Sequence, residues 1–191
     1  MSVNKLSLKR IEIRWHGRGG QGAITASMIL AEGAIYQGKY AQAYPEFGAE
    51  RRGTPTRAYT RISDEPIYSR APIIHPDVVV VLDPTLDKSL YMGGLKSNGI
   101  LVMNTKRSAK EVRDIIGRED IRIVRVDATR IALEILKTPI VNMAMIGALL
   151  KSVPVVDMHY VEEAIKENFR PKVAEANILA MKRAFEEAEI I

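Results

Sequence analysis

Ile11-Glu12-Ile13-Arg14-Trp15-His16-Gly17-Arg18-Gly19-Gly20-Gln21-Gly22 combines an apolar run with a glycine-rich turn. Ile11 to His16 reads as a buried strand, and it breaks directly into glycines that punctuate a strand-to-helix turn. Beyond them Ile24, Met28, Ala31 and Ile35 recur at helical spacing as far as Gly38, a suitable C-terminal stop. Gly17, Gly19 and Gly22 have the G-x-G-x-x-G spacing in its proper context, between a strand and a helix. Glycines let the backbone approach a phosphate, and a helix N-terminus offers free N–H groups and partial positive charge, so the implied chemistry is anion binding. A dinucleotide site of this kind also carries an acidic residue about 20 positions further on, at the end of the second strand. The second strand, Lys39 to Tyr44, has none, and Glu46 lies past it, beyond Pro45. Three readings stay open: a nucleotide site, a turn that serves helix-on-sheet packing, and a contact to another anion or to a partner chain.

Pro45 to Pro55 is a long polar loop, a length that in compact domains usually signals function. Thr56 to Ile62 and Ile67 to Ser69 read as a hairpin across Ser63-Asp64-Glu65-Pro66. Val78 to Leu82 is a continuous apolar run, the pattern of a central strand covered on both faces. Ile100 to Asn104 and Ile121 to Val126 supply further strands, with helices near Leu86 to Lys96 and Ser108 to Ile116. From Ala128 the pattern is helical: Ile131 to Leu136, Val141 to Leu150, Met158 to Phe169 with Asp157 as N-cap, and a last helix opening near Pro171 with Ala174, Ile178, Met181, Phe185 and Ala188 on its apolar face. The expected class is α/β, a three-layer α/β/α arrangement with a mixed, mostly parallel sheet and a helical C-terminal part. With 191 residues and no linker or repeat, one domain spanning 1–191 is expected.

Composition excludes several chemistries. There is no cysteine, hence no disulfide, thiol nucleophile or thiolate-held iron-sulfur cluster. His16, His75 and His159 are scattered, without metal-ligand spacing. No apolar run approaches the roughly 20 residues of a membrane span, and Met1 to Arg10 lacks a signal-peptide core, so a cytoplasmic protein is expected. A net charge of +5 favours anionic partners. In Glu50-Arg51-Arg52-Gly53, followed by Arg57 and Arg61 on one strand face, arginine forks suit carboxylate or phosphate, or Glu50 pairs with an arginine over a sheet edge or subunit interface. The flanking aromatics match no nucleic-acid-binding signature. Asp77, Asp83 and Asp127 sit at strand ends, where a helix cap is the ordinary role and a site residue the alternative. His16 reads as a hydrogen-bonded structural residue ahead of an acid or base. No catalytic triad can be assembled.

Ile13 to Ala23, Ala43 to Pro55, Pro76 to Asp83 and Asn142 to Ala148 together resemble, in order and over nearly the whole chain, the gamma subunit of pyruvate:ferredoxin oxidoreductase. His-Gly-Arg-Gly before the Gly-Gln-Gly core looks more like the pyruvate or branched-chain 2-oxoacid enzymes than the 2-oxoglutarate ones. The resemblance implies a holoenzyme that oxidatively decarboxylates pyruvate to acetyl-CoA and carbon dioxide, using thiamine diphosphate, magnesium, iron-sulfur clusters and coenzyme A, and reducing ferredoxin. It implies alpha, beta and delta subunits as partners, with no nucleic acid and no membrane, and no cofactor held by this chain alone. A 2-ketoisovalerate or other 2-oxoacid enzyme is the alternative, and a stand-alone dinucleotide-binding protein the alternative from another class. On this reading Gly17, Arg18, Gly19, Gly20, Gln21, Gly22, Glu50, Arg51 and Arg52 are expected to contact coenzyme A phosphates or a neighbouring subunit, with no catalytic residue and no metal ligand in the chain.

Overall fold

The computed structural model describes residues 10–46, 53–69 and 71–191. Its elements in chain order are β1 (Arg10–Arg18), α1 (Ala23–Tyr36), β2 (Tyr40–Pro45), β3 (Pro55–Ser63), β4 (Val78–Val81), α2 (Lys88–Met92), β5 (Ile100–Asn104), α3 (Ala109–Ile116), β6 (Arg122–Val126), α4 (Ala128–Ile135), α5 (Asn142–Ser152), α6 (Met158–Asn168), α7 (Pro171–Glu187) and β7 (Glu189–Ile190). The strands form a seven-stranded sheet in the order β2-β3-β1-β4-β5-β6-β7. β1, β4, β5 and β6 run parallel at its centre, while β3 lies antiparallel to both β1 and β2, and β7 antiparallel to β6. The α/β class and three layers are as the alternating pattern implies.

Alternation along the strands builds two cores. Val78, Val80, Val102 and Val124 face α1 and the α4–α7 helices, whereas Val79, Val81, Leu101, Met103 and Ile123 face α2 and α3. The four-valine strand is therefore buried on both sides, which is why it reads as a continuous run. On the C-terminal side α5 and α7 touch so closely that a Cβ on Gly147 would overlap the Met181 carbonyl oxygen. Trp15, fully buried, donates from Nε1 to the Thr60 hydroxyl at 2.9 Å, and Thr60 in turn donates to the Ser27 carbonyl of α1 at 3.1 Å.

Several local expectations need correction. The hairpin partner of β3 is β2, not 67–69. Pro66 lacks a ladder donor, and the carbonyls of this strap are taken by side chains instead: Gln42 binds the Ile67 carbonyl, and Arg61 binds those of Ser69 and Ala71. The buried stripe of α1 is Ala23, Ala26, Ile29, Leu30 and Ala34, while Met28 and Ile35 are more than half exposed. Small residues face the sheet because the helix lies close to it, so periodicity of the large apolar residues picks the wrong face. The helix expected over Leu86 to Lys96 shrinks to α2, capped by Asp87, whose side chain accepts from Ser89 N–H. Asp157 occupies the N-cap of α6 without a side-chain capping bond. The last helix ends at Glu187, and β7 follows as a short antiparallel edge strand that the helical pattern conceals. Helix α1 does stop at the glycine: Gly38, at φ 83°, donates to the Ile35 carbonyl.

Candidate functional site

In an open α/β sheet the crevice beyond the strand C-termini, where the connection order reverses, is the usual place for a ligand. Here that point lies between β1 and β4, with β3 and β2 continuing on one side and β5 and β6 on the other. The glycine turn borders it. Gly17 and Arg18 are still in β1, paired with Thr56 and Pro55, so the turn proper is Gly19 to Gly22. Gly19 N–H donates to the Thr54 carbonyl at 2.9 Å, and Gly53 N–H donates back to the Gly19 carbonyl at 3.2 Å. Gly20 and Gly22 have φ of 96° and 83°, conformations that side chains strain to adopt. A Cβ on Gly22 would also lie 2.5 Å from Asn142 Nδ2, since α5 begins against the start of α1, whereas one on Gly20 would meet nothing within 4 Å among the described residues.

The side chains of the turn are engaged with one another. Gln21 Oε1 accepts from the Arg18 N–H at 2.7 Å, and Gln21 Nε2 donates to Asp83 Oδ2 at 2.7 Å. Asp83 Oδ1 accepts from both the N–H and the hydroxyl of Thr85, and Arg18 Nε lies 3.2 Å from Oδ2. The rest of the Arg18 guanidinium reaches Thr85 Oγ1 and the Gly53 carbonyl. Burial alone would raise the Asp83 carboxyl, but the Thr85 and Gln21 hydrogen bonds and the Arg18 charge outweigh it and hold it below its ordinary range. The crevice therefore contains the chain's own carboxylate. A phosphate placed there would face Asp83, and the open side of the turn is the outer one, at Gly20. Asp83 does not cap α2; Asp127 does cap α4, accepting from Arg130 N–H at 3.0 Å. Asp77 accepts from Glu12 N–H and pairs with Lys96. Glu50, Arg51 and Arg52 lie outside the described residues.

A feature that the sequence reading missed occupies the sheet face shared with α2 and α3. Register places Glu12 opposite Arg61, Arg14 opposite Tyr59 and His16 opposite Arg57, with β2 adding Gln42 opposite Arg61 and Tyr44 opposite Tyr59. The opposite face of these strands is apolar and packs on α1. On the polar face the strap 66–69 and 71–76 stands in place of a helix. Buried Arg61 ties it down, donating to Glu12 and to the Tyr44 hydroxyl as well as to the strap carbonyls. His16 is buried; its Nε2 accepts from Arg14 Nε at 2.9 Å, and burial, helped by the charges of Arg14 and Arg57, pushes its pKa down to about 3. It is a structural acceptor. The signal lies in the period-two alternation of Arg14, His16, Arg57, Tyr59 and Arg61, of which the sequence reading places only Arg57 and Arg61 on a common face.

Comparison with known proteins settles the family. Residues 12–187 match the model of the pyruvate ferredoxin/flavodoxin oxidoreductase family, a span that includes both the glycine turn and the Asp83 lock. The chain belongs to this family. Among its relatives, the pyruvate/ketoisovalerate oxidoreductases common subunit gamma of Pyrococcus furiosus is 49% identical over 181 residues, covering 94% of this chain and 98% of that one. The pyruvate synthase subunit PorC of Thermotoga maritima is 46% identical over 185 residues, covering 95% of this chain and 96% of its own length. The crystal structure of the Thermotoga maritima pyruvate oxidoreductase subunit PORC superposes with a TM-score of 0.85 at 45% identity, covering 95% of this chain and 98% of that one. A keto/oxoacid ferredoxin oxidoreductase gamma subunit from Geobacter sulfurreducens has a TM-score of 0.73 at 26% identity, covering 93% and 97%.

The donor set can be tested against the cofactors that the family implies. An iron-sulfur cluster needs thiolates, and the chain has no cysteine, so no such cluster fits it. Among the described residues no group of three or more His, Cys, Asp or Glu converges to hold a metal ion. Among those residues, too, no helix is long and apolar enough to cross a membrane.

Proposed function

We propose that this chain is the gamma subunit of a cytoplasmic, multi-subunit pyruvate:ferredoxin oxidoreductase, folded as one gamma-type domain over 1–191 and working with alpha, beta and delta subunits. The observation that carries the reading is the near-full-length match to gamma subunits, joined to a glycine turn whose polar side chains are engaged within the chain. In the assembled enzyme, thiamine diphosphate with magnesium would supply the decarboxylation chemistry, iron-sulfur clusters the electron path to ferredoxin, and coenzyme A the acyl acceptor, none of them held by this chain alone. This chain's residues hold structure around that chemistry. Arg18, Gln21, Asp83 and Thr85 fix the strand-to-helix turn in one conformation and present the open backbone at Gly20 outward. The outer side of Gly17 to Gly22 is then the surface offered to coenzyme A phosphates or to a neighbouring subunit, and Glu50, Arg51 and Arg52, which lie outside the described residues, are assigned the same role from the sequence. Alanine at Arg52 separates those two roles: a raised Michaelis constant for coenzyme A in an intact complex supports the first, and loss of co-purifying subunits supports the second.

The name of the Pyrococcus furiosus relative supports a second substrate assignment, in which one gamma subunit serves both pyruvate and 2-ketoisovalerate enzymes. Substrate-dependent dye reduction by complexes purified through this chain tests it. A stand-alone dinucleotide protein is disfavoured by the Asp83 carboxylate in the crevice that a pyrophosphate would need.

A further inference from the structure

The guanidinium of Arg14 is buried, the whole residue being 7% exposed, yet among the described residues every group it hydrogen-bonds is neutral. Nε donates to His16, Nη1 to the Ile74 carbonyl, and Nη2 to the carbonyls of Tyr91 and Gly93. Burial first, and then the charge of Arg57, pushes it below the ordinary arginine range, outweighing the opposing influence of Tyr59 and Glu46. A buried cation without a carboxylate partner is costly, and proteins normally pair it.

Arg14 forms one wall of a cleft of about 360 Å³, whose other polar walls are Glu46, Arg57, Tyr59 and His75. That volume is at the small end of the range for small-molecule sites. Glu46 accepts from Arg57 at 3.0 Å and from the Tyr59 hydroxyl at 2.9 Å, so its direct partner is Arg57 and it acts on Arg14 only through space. Of these three charges, Arg14 is the one that makes no ion pair among the described residues. The rest of the lining is the backbone of Gly93 and Gly94 and an apolar wall, Pro72 to Ile74, with Ile74 67% exposed at the rim.

We infer that this cleft binds a small monocarboxylate, its head against Arg14 and a short apolar body against Pro72 to Ile74. The carboxylate is that of a free metabolite; an Asp or Glu side chain from another subunit carries the same chemistry and would compete for the same cleft. Arg14 is held by β1 and its carbonyl partners, so the site exists before the ligand arrives. The inference stands on the cleft alone and does not depend on the assignment as a gamma subunit.

The test is titration of the full-length chain with isovalerate, a branched carboxylate without the 2-oxo group, followed by ligand-observed NMR. Saturable binding in the millimolar range or tighter is expected, weakened about fivefold by Arg57→Gln and tightened about fivefold by Glu46→Gln, because each changes the cleft charge by one unit in opposite directions. Thermal melts of both variants establish that they are folded. Competition by butyrate but not by butanol is the further expected result. Absence of saturable binding, or changes of the same sign in both variants, overturns the inference. Isovalerate binding that vanishes when the chain is in its native complex, with Glu46→Gln strengthening subunit association, also overturns it, since the occupant is then a partner's carboxylate.

Discussion

Replacing Asp83 with asparagine removes one charge and almost no volume, and the structure sets what that costs. Oδ1 accepts both Thr85 bonds, at 2.8 and 2.6 Å, and an amide oxygen can keep them. Oδ2 accepts from Gln21 Nε2 at 2.7 Å, and in the variant two NH2 groups face each other there. The ion pair with Arg18 adds little, because the Arg18 side chain is 35% exposed and its charge is screened. The loss is therefore about one charge-assisted hydrogen bond plus a donor-donor conflict, or about 2 kcal/mol. Gln21→Glu alone sets two carboxylates together and should cost a similar amount. In the double variant the carboxylate introduced at position 21 accepts from both the Arg18 N–H and the amide introduced at position 83, so about 1 kcal/mol or more should return as coupling. Urea unfolding followed by Trp15 fluorescence measures all four corners of the cycle. A pH series adds a sign. The Asp83 carboxyl is lowered in the folded state, so its stabilisation is complete above the unfolded carboxylate pKa of about 4 and is lost as pH falls through the lower folded value. Asp83→Asn should lack that part of the acid-induced loss. An Asp83→Asn variant within about 0.5 kcal/mol of wild type, or strict additivity in the cycle, would refute the lock.

Other positions give independent checks. His16 has a folded pKa near 3 against an ordinary value of 6.5, so the unfolded chain binds the extra proton between them. Stability should fall as pH drops from about 6.5 toward 3, by up to about 1.4 kcal/mol per pH unit from this residue, and its imidazole NMR signals should not titrate between pH 5 and 8. Gly147→Ala drives a methyl into the Met181 carbonyl and should cost about 3 kcal/mol or more in urea unfolding, with α5 and α7 forced apart. Thr60→Val strands the Trp15 indole N–H in the core and should cost about 1–3 kcal/mol with a shifted Trp15 emission.

The strand-turn-helix unit and the central Val78 to Val81 strand are legible because each has a strong local signature, glycines at fixed spacing and a run buried on both faces. The facing of α1 is not, since close packing on the sheet selects Ala23, Ala26 and Ala34 and leaves Met28 outside. Antiparallel insertion of β3 between β1 and β2 is a long-range pairing that no local pattern encodes. The turn reads as anion-compatible from its glycines, but the carboxylate that satisfies it comes from Asp83, 62 residues beyond Gln21, and only the parallel pairing of β1 with β4 brings the two together.

If this chain is a subunit without redox chemistry of its own, purifying the native complex through it, beside the isolated full-length chain, separates the two species. The complex should show iron-sulfur absorbance and reduce a viologen dye with pyruvate and coenzyme A, while the isolated chain should be colourless and inert in the same assay. Pyruvate-dependent dye reduction by the isolated chain, or its recovery from native extract as a free protein carrying a bound dinucleotide, would contradict the account.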